Sequence, residues 1–246
     1  MVTAMILAAG RGTRLGPVGR QVPKVLLEIG GEPLLVRHLR YLEREGVERV
    51  VLNAHHLAEQ VRVFVDGYRG TLELALVVEP ELRGTAGSVR SALPCLGRDP
   101  FVVLYGDVLI DEPLAPIFEA HRSSAAVATL TVYEAPSTLG KGVVDVEADG
   151  RVRGFREKQQ EGSGLVNAGL YVLEHDFVAG LPDHIPLDFG DDVLPSAVAS
   201  GEAVFAYRLG AAVIDVGTPE ALSLARKAVV ERESWPQRPT STPVSK

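Results

Sequence analysis

Through the first half of the chain, short runs of Val, Ile and Leu alternate with stretches in which apolar residues return every three or four positions. The first pattern suits a buried strand and the second a helix that covers it. Their alternation predicts βαβ units and a mostly parallel central sheet flanked by helices, an α/β fold. Strands are expected over residues 2–8, 50–53, 72–78 and 101–105. A helix is expected over residues 33–44, where Leu34, Leu35, His38, Leu39 and Leu42 share one face and Gly46 provides the stop. Further helices fall over residues 57–65 and over 85–93, the latter opening on Gly84. The second half changes texture: residues 126–133, 143–146, 152–155, 168–173 and 203–207 read as strands with few helices between them. Residues 193–200 suggest a helix, and 219–232 a clear one with Pro219 in its first turn. Residues 233–246 have almost nothing to bury and are expected to form a disordered tail behind a single domain spanning 1–232.

Composition narrows the function classes. The 246 residues are 46% apolar, enough for one large domain with a substantial core, and the net charge is −7. Without a Lys/Arg run, that acidity argues against nucleic acid or an anionic membrane as partner, so any phosphate binding must come from local cations. The single cysteine, Cys95, excludes an internal disulfide and a cysteine-built metal site and suits a small buried hydrophobe in a reducing cytoplasm. No apolar run approaches a membrane span and no leader pattern opens the chain, so a cytoplasmic location is expected. The six histidines are scattered, His55 and His56 being adjacent rather than on one helical face, and they read as structural or solvated. No Gly-x-Ser-x-Gly elbow supports a Ser/His/Asp hydrolase.

The densest chemistry lies at the start. The apolar strand runs into Ala8-Ala9-Gly10-Arg11-Gly12-Thr13-Arg14-Leu15-Gly16, and Pro23-Lys24 follows. Glycines around an arginine let backbone N–H groups crowd toward an anion, while Arg11, Arg14 and Lys24 bring cations to the same sheet edge. A dinucleotide fingerprint would need glycine where Leu15 stands, and a P-loop would need Gly-Lys-Ser/Thr. Together with Leu26-Leu27-Glu28-Ile29-Gly30-Gly31-Glu32-Pro33-Leu34-Leu35, the stretch resembles the signature of the sugar-1-phosphate nucleotidyltransferases, the nucleotide-sugar pyrophosphorylases. Gly10, Gly84 and Asp107 each follow a strand, and in open α/β sheets ligands bind beyond the strands' carboxyl ends.

The resemblance continues in order along residues 5–220. Leu104-Tyr105-Gly106-Asp107 and Val213-Ile214-Asp215-Val216-Gly217-Thr218-Pro219-Glu220 resemble the family's two metal-binding aspartate motifs. Gly154-Phe155-Arg156-Glu157-Lys158 matches its Glu-Lys pair, and Val166-Asn167-Ala168-Gly169-Leu170-Tyr171 is similar to its sugar-contacting stretch. Gly142 resembles the glycine lining the sugar side, although Lys141 stands where an aromatic residue is common. The resemblance implies a Rossmann-like, GT-A-like nucleotidyltransferase fold. It further implies a nucleoside triphosphate and a sugar 1-phosphate as partners, Mg2+ held by Asp107 and Asp215, and Arg14, Lys24, Asp107 and Asp215 as the catalytic set. Leu7, Ala8, Ala9, Gly10, Gly12, Thr13, Glu79, Glu81, Gly84, Thr85 and Ala86 would surround the nucleotide. Gly142, Glu157, Lys158, Asn167 and Gly169 would surround the sugar phosphate.

For the base, a carboxylate only accepts hydrogen bonds, and guanine offers two adjacent donors, so Glu79 or Glu81 favours GTP. Gly84-Thr85-Ala86-Gly87 also looks like the run in mannose- and heptose-1-phosphate guanylyltransferases. Against this, related uridylyltransferases carry a nearby glutamate, and Pro80 precedes Glu81 rather than following it. Uridylyl or thymidylyl transfer, cytidylyl transfer to a non-sugar phosphate, and a silent nucleotide-sugar-binding subunit stay as alternatives. The last would be expected to lack one of Arg14, Lys24, Asp107 and Asp215, all present here. A stand-alone catalytic unit is expected, with its oligomeric state open.

Overall fold

In a computed structural model of the chain, residues 1–157, 162–210 and 213–232 are described, the side chains of 229–232 excepted. The first half runs β1 (Thr3–Leu7), α1 (Pro17–Gln21), a small ribbon of β2 (Glu28–Ile29) and β3 (Glu32–Pro33), α2 (Leu34–Arg44), β4 (Arg49–Ala54), α3 (Ala58–Gly67), β5 (Glu73–Val78), α4 (Gly84–Leu96) and β6 (Phe101–Tyr105). After it come β7 (Val108–Leu109), α5 (Leu114–Ser123), β8 (Ala128–Ala135), β9 (Val143–Val146), β10 (Val152–Arg156), β11 (Gly164–Leu173), α6 (His175–Ala179), α7 (Leu194–Ala199), β12 (Val204–Arg208), β13 (Ile214–Asp215) and α8 (Pro219–Arg232). The expected strands and helices are present, with ends moved by a few residues. Helix α5 was not visible in the pattern, because its buried positions, Leu114, Ile117 and His121, are few and one of them is polar.

One sheet is ordered β10-β9-β11-β6-β1-β4-β5, with β8 joined to β11 and β12 to β8. The pairs β1–β4, β1–β6 and β4–β5 are parallel, as the βαβ pattern requires, and β11 attaches the second half antiparallel to β6. Side chains alternate across this sheet. Ala4, Ile6, Val50, Leu52, Val102 and Leu104 face the layer built by α2, α3 and α5. Met5, Val51, Phe101 and Val103 face the layer of α4, α6 and α7. Both faces are covered, which is why these strands are nearly continuous in apolar residues instead of alternating. A third cluster of Leu15, Leu27, Ile29, Leu34, Val216, Leu222 and Ala225 ties α8 to the loop after β1.

His38 is the polar exception on the core face of α2. It is 2% exposed, its Nε2 donates to the Val108 carbonyl at 2.9 Å, and its Nδ1 has no partner among the described residues. Burial lowers its pKa from 6.5 to about 4, outweighing the carbonyl and the charge of Asp107, which act upward. Between those two values the unfolded chain binds the extra proton, so stability is fully present above 6.5 and falls as the pH drops toward 4. The loss should approach about 3 kcal/mol. Urea midpoints at about pH 7 and pH 4.5 should differ less in His38→Gln, which keeps a donor for Val108 without titrating. An equal acid loss in variant and wild type would contradict this assignment.

Candidate active site

Beyond the carboxyl ends of β1 and β6 opens a cavity of about 660 Å³. Its floor depends on close backbone approach. Gly106 N donates to the Leu7 carbonyl at 3.0 Å, and a Cβ on Gly106 would stand 2.5 Å from that oxygen. The loop after β1 folds on itself: Gly12 takes a left-handed φ of 64°, and a Cβ on Gly19 would overlap the Gly12 carbonyl. This packing turns Arg14 and Lys24 into the cavity, where Leu7, Ala8, Ala9 and Gly10 also lie.

Asp107 leaves the end of β6 and its Oδ2 accepts from Lys24 Nζ at 2.6 Å. Asp215 is brought beside it by the two-residue ribbon of β7 and β13, in which Asp215 pairs with Val108, and by Val216 N donating to the Asp107 carbonyl at 2.7 Å. Solvent reaches Asp215 from the cavity, but the protein crowds it closely enough to matter. Desolvation, then the charge of Asp107, raises its pKa, while Arg14, Lys24 and the Gly217 backbone act downward. A Cβ on Gly217 would lie 2.8 Å from Asp215 Oδ1 and 3.0 Å from the Arg14 guanidinium, so glycine is what leaves room for both groups at this point. Two acids and two bases thus meet within one wall. Among the described residues no group of three or more His, Cys, Asp or Glu could hold a metal ion. A pair of carboxylates suits magnesium, which takes one or two and fills its shell with water and phosphate oxygens.

The opposite end is built on β11. The strand's register against β8 shifts between Asn167 and Tyr171, and Gly169 in the bulge has a φ of 76°. Bulges re-aim side chains, and here Asn167 faces the cavity. Its Nδ2 donates to the Tyr171 hydroxyl at 2.5 Å, and its Oδ1 accepts from Gly169 N at 3.1 Å. Tyr171 donates in turn to the Tyr105 hydroxyl at 3.2 Å. Burial pushes the Tyr105 phenol up to about 12 against the hydrogen bonds from Tyr171 and Thr85, so both tyrosines stay neutral donors. Glu157 is tucked beside two glycines: its Oε2 lies 2.6 Å from where a Cβ of Gly142 would stand and 2.5 Å from that of Gly190. Lys141 also faces the cavity, with Nζ 3.1 Å from the Tyr133 hydroxyl.

Several expected nucleotide residues stand elsewhere than on the cavity wall. Gly12, Thr13, Ala86 and both glutamates are not among its lining, whereas Gly84 and Thr85 are. Glu81 is exposed. Glu79 is 3% exposed and its Oε1 accepts from Asn53 Nδ2 at 2.9 Å, Asn53 Oδ1 accepting from Ala8 N at 2.7 Å. Its Oε2 is buried with no partner among the described residues. The start of α4 does not offer free N–H groups either. Asp188 accepts from Thr85 N at 2.9 Å, and the Leu187 carbonyl from Ala86 N and Gly87 N at 2.9 and 3.0 Å. Lys158 lies outside the described residues, as does the expected tail. Asn53 and Asp188 were not singled out beforehand. A polar residue closing the apolar run Val50-Val51-Leu52 marks Asn53, but nothing local marks Asp188, whose partner is 103 residues away.

Gly84 holds a φ of 75° and a Cβ there would collide with the Leu187 backbone. Gly84→Ala should therefore destabilise the protein by roughly 2–4 kcal/mol, from left-handed strain plus the clash. Chemical denaturation measures this; a loss under about half a kcal/mol would show that the α4 start does not depend on the 187–188 stretch.

The profile of the nucleotidyl transferase family matches residues 3–232, and the chain belongs to that family. It is 32% identical over 247 residues to a UTP–glucose-1-phosphate uridylyltransferase of Synechocystis, covering 94% of this chain and 64% of that protein. It is 31% identical over 222 residues to the mannose-1-phosphate guanylyltransferase of Mycobacterium tuberculosis, covering 89% and 62%. The chain thus spans less than two thirds of the length of these relatives. The crystal structure of HddC from Yersinia pseudotuberculosis complexed with GMP-PN superposes with a TM-score of 0.81 at 28% identity, covering 93% of this chain and all of that one. A UDP-glucose pyrophosphorylase complexed with UDP-glucose has the same fold, with a TM-score of 0.80 at 20% identity over 94% of this chain and 100% of the other. Among the described residues no helix is long and apolar enough to cross a membrane.

Proposed function

We propose that this nucleotidyl transferase family member joins a nucleoside triphosphate to a sugar 1-phosphate, releasing pyrophosphate, with the triphosphate over the loop after β1 and the sugar against β11. The observation that carries the reading is the placement of Asp107 and Asp215 side by side, with Lys24 bonded to Asp107 and Arg14 on the same wall, in a cavity also lined by that loop and by Asn167. All reactants are anions, so the first barrier is repulsion, and charge neutralisation with positioning supplies the catalysis. Arg14 and Lys24 would meet the triphosphate and the charge developing on the leaving pyrophosphate. Asp107 and Asp215 would hold Mg2+, which would supply positive charge to neutralise the phosphates. A sugar phosphate oxygen would attack the α-phosphorus in line, with no covalent enzyme intermediate. Asn167, the Gly169 backbone and Glu157 would orient the sugar hydroxyls, and Lys158 its phosphate.

Asp107→Asn or Asp215→Asn keeps the shape and removes one negative ligand. Turnover at saturating magnesium should fall roughly a hundredfold or more while the fold survives. Near-normal turnover in either variant would remove that carboxylate from the catalytic set.

GTP is the favoured nucleotide and a mannose- or heptose-type 1-phosphate the favoured acceptor. Support comes from the buried carboxylate oxygen of Glu79, which has no partner among the described residues and sits behind the cavity residue Asn53, and from the guanylyltransferase names of several relatives. Neither glutamate lines the cavity, but Glu79 is buried and bonded to the cavity residue Asn53, whereas Glu81 is exposed, so Glu79 is the acceptor we favour. Uridylyl transfer to glucose 1-phosphate is the second reading, favoured by the Synechocystis relative. The deciding assay crosses GTP, UTP, dTTP, ATP and CTP with mannose, heptose, glucose and N-acetylglucosamine 1-phosphates and reads pyrophosphate. Preference for GTP, reduced roughly ten- to a hundredfold against UTP in Glu79→Gln and unmoved in Glu81→Gln, is expected. A wild-type preference for UTP would overturn the guanine assignment.

A further inference from the structure

The end of β4 and the segment that follows it grip the loop after β1 at both ends. At the near end lies the Asn53 bond to Ala8 N at 2.7 Å. At the far end His56 Nε2 donates to the Gly19 carbonyl at 3.0 Å, and Gln60 Nε2 to the Gln21 carbonyl at 2.8 Å. A carbonyl only accepts, so His56 carries its proton on Nε2. The chain turns into α3 directly after this histidine through Leu57, whose left-handed φ of 54° is uncommon for a bulky side chain.

These far-end bonds reach the loop's cations through backbone contact. Gly19 is packed so tightly on Gly12 that no Cβ fits between them. Displacing Gly19 therefore displaces the turn Gly12-Thr13-Arg14, while Gln21 lies just ahead of Pro23-Lys24. Within α1 only Gly19 is buried; Val18 and Arg20 are exposed. The arm has little apolar burial of its own to hold it, so directional bonds at His56 and Gln60 carry a large share of its placement.

We propose that His56 and Gln60 are positioning residues for the phosphate loop, fixing its far arm so that Arg14 and Lys24 are preorganised for a triphosphate. The inference rests on the reading that this loop receives the triphosphate. Neither side chain touches the nucleotide; each acts through a loop carbonyl.

Calorimetric titration of the full chain with inorganic tripolyphosphate tests it without assuming a base or a sugar. His56→Ala should weaken binding roughly five- to tenfold, the size of one lost hydrogen bond in a preorganised site, and Gln60→Ala by less because its bond is exposed. His56→Gln, whose amide nitrogen can stand where Nε2 stood, should recover binding to within about twofold. In turnover, KM for the nucleotide should rise while KM for the sugar 1-phosphate stays put. Wild-type affinity in His56→Ala, or a His56→Gln variant no better than His56→Ala, would overturn the proposal. If His56→Ala does not fold, Gln60→Ala and His56→Gln decide it: weakened binding in the first with near-normal binding in the second supports it, and unchanged binding in Gln60→Ala overturns it. A wild type that ignores tripolyphosphate, or an Arg14→Ala variant that binds it normally, would instead overturn the phosphate-loop reading on which the proposal stands.

Discussion

Two carboxylates that repel one another are held side by side by a ribbon only two residues long on each strand, and the rest of the site is arranged around that cost. Asp215 carries the sign of it, since crowding and the charge of Asp107 hold its pKa above the ordinary value. Lys24 and Arg14 partly offset the repulsion, which ties the loop after β1 to the far end of the chain's folded part. The third apolar cluster fixes that tie from behind, because Leu15, next to Arg14, and Val216, next to Asp215, pack in the same group as α8. A site with balanced charge is well suited to receive a cation and a polyanion together, each supplying what the other needs.

Where the chain must come close to itself, glycine is what permits it. Gly12 and Gly19 fold the loop after β1, Gly106 lets β6 leave the sheet against β1, Gly217 admits the guanidinium, and Gly142 with Gly190 makes room for Glu157. At each place a side chain would push apart two parts of the cavity wall. The cavity is thus shaped by backbone contact, with a small number of polar groups aimed across it, the usual character of a largely pre-formed small-molecule site.

The parallel half of the fold was legible in the sequence because its strands are buried on both faces and read as apolar runs, while α2 shows its stripe of leucines. The antiparallel attachment of β11 was not, since pairing partners of a strand are set by contacts distant in sequence, and α5 hides its stripe behind His121. In the site, residues just past a strand were recoverable: Gly10, Asp107 and Asp215 all face the cavity. The stretch at the start of α4, expected to meet the nucleotide, was less so. Thr85 and Ala86 look like free helix-start donors until Asp188 and Leu187 arrive from 103 or so residues away to occupy them. Glu79 and Glu81 are indistinguishable by spacing, and only burial separates them.

The central claim is that Asp107 and Asp215 together form the cation seat of a nucleotide site. It is tested most directly by electron paramagnetic resonance of Mn2+ titrated with the protein and a non-hydrolysable nucleoside triphosphate analogue. The wild-type chain should take up Mn2+ in a protein–nucleotide complex, and both Asp107→Asn and Asp215→Asn should lose that uptake while still melting cooperatively. Unchanged Mn2+ uptake in both variants would contradict the account.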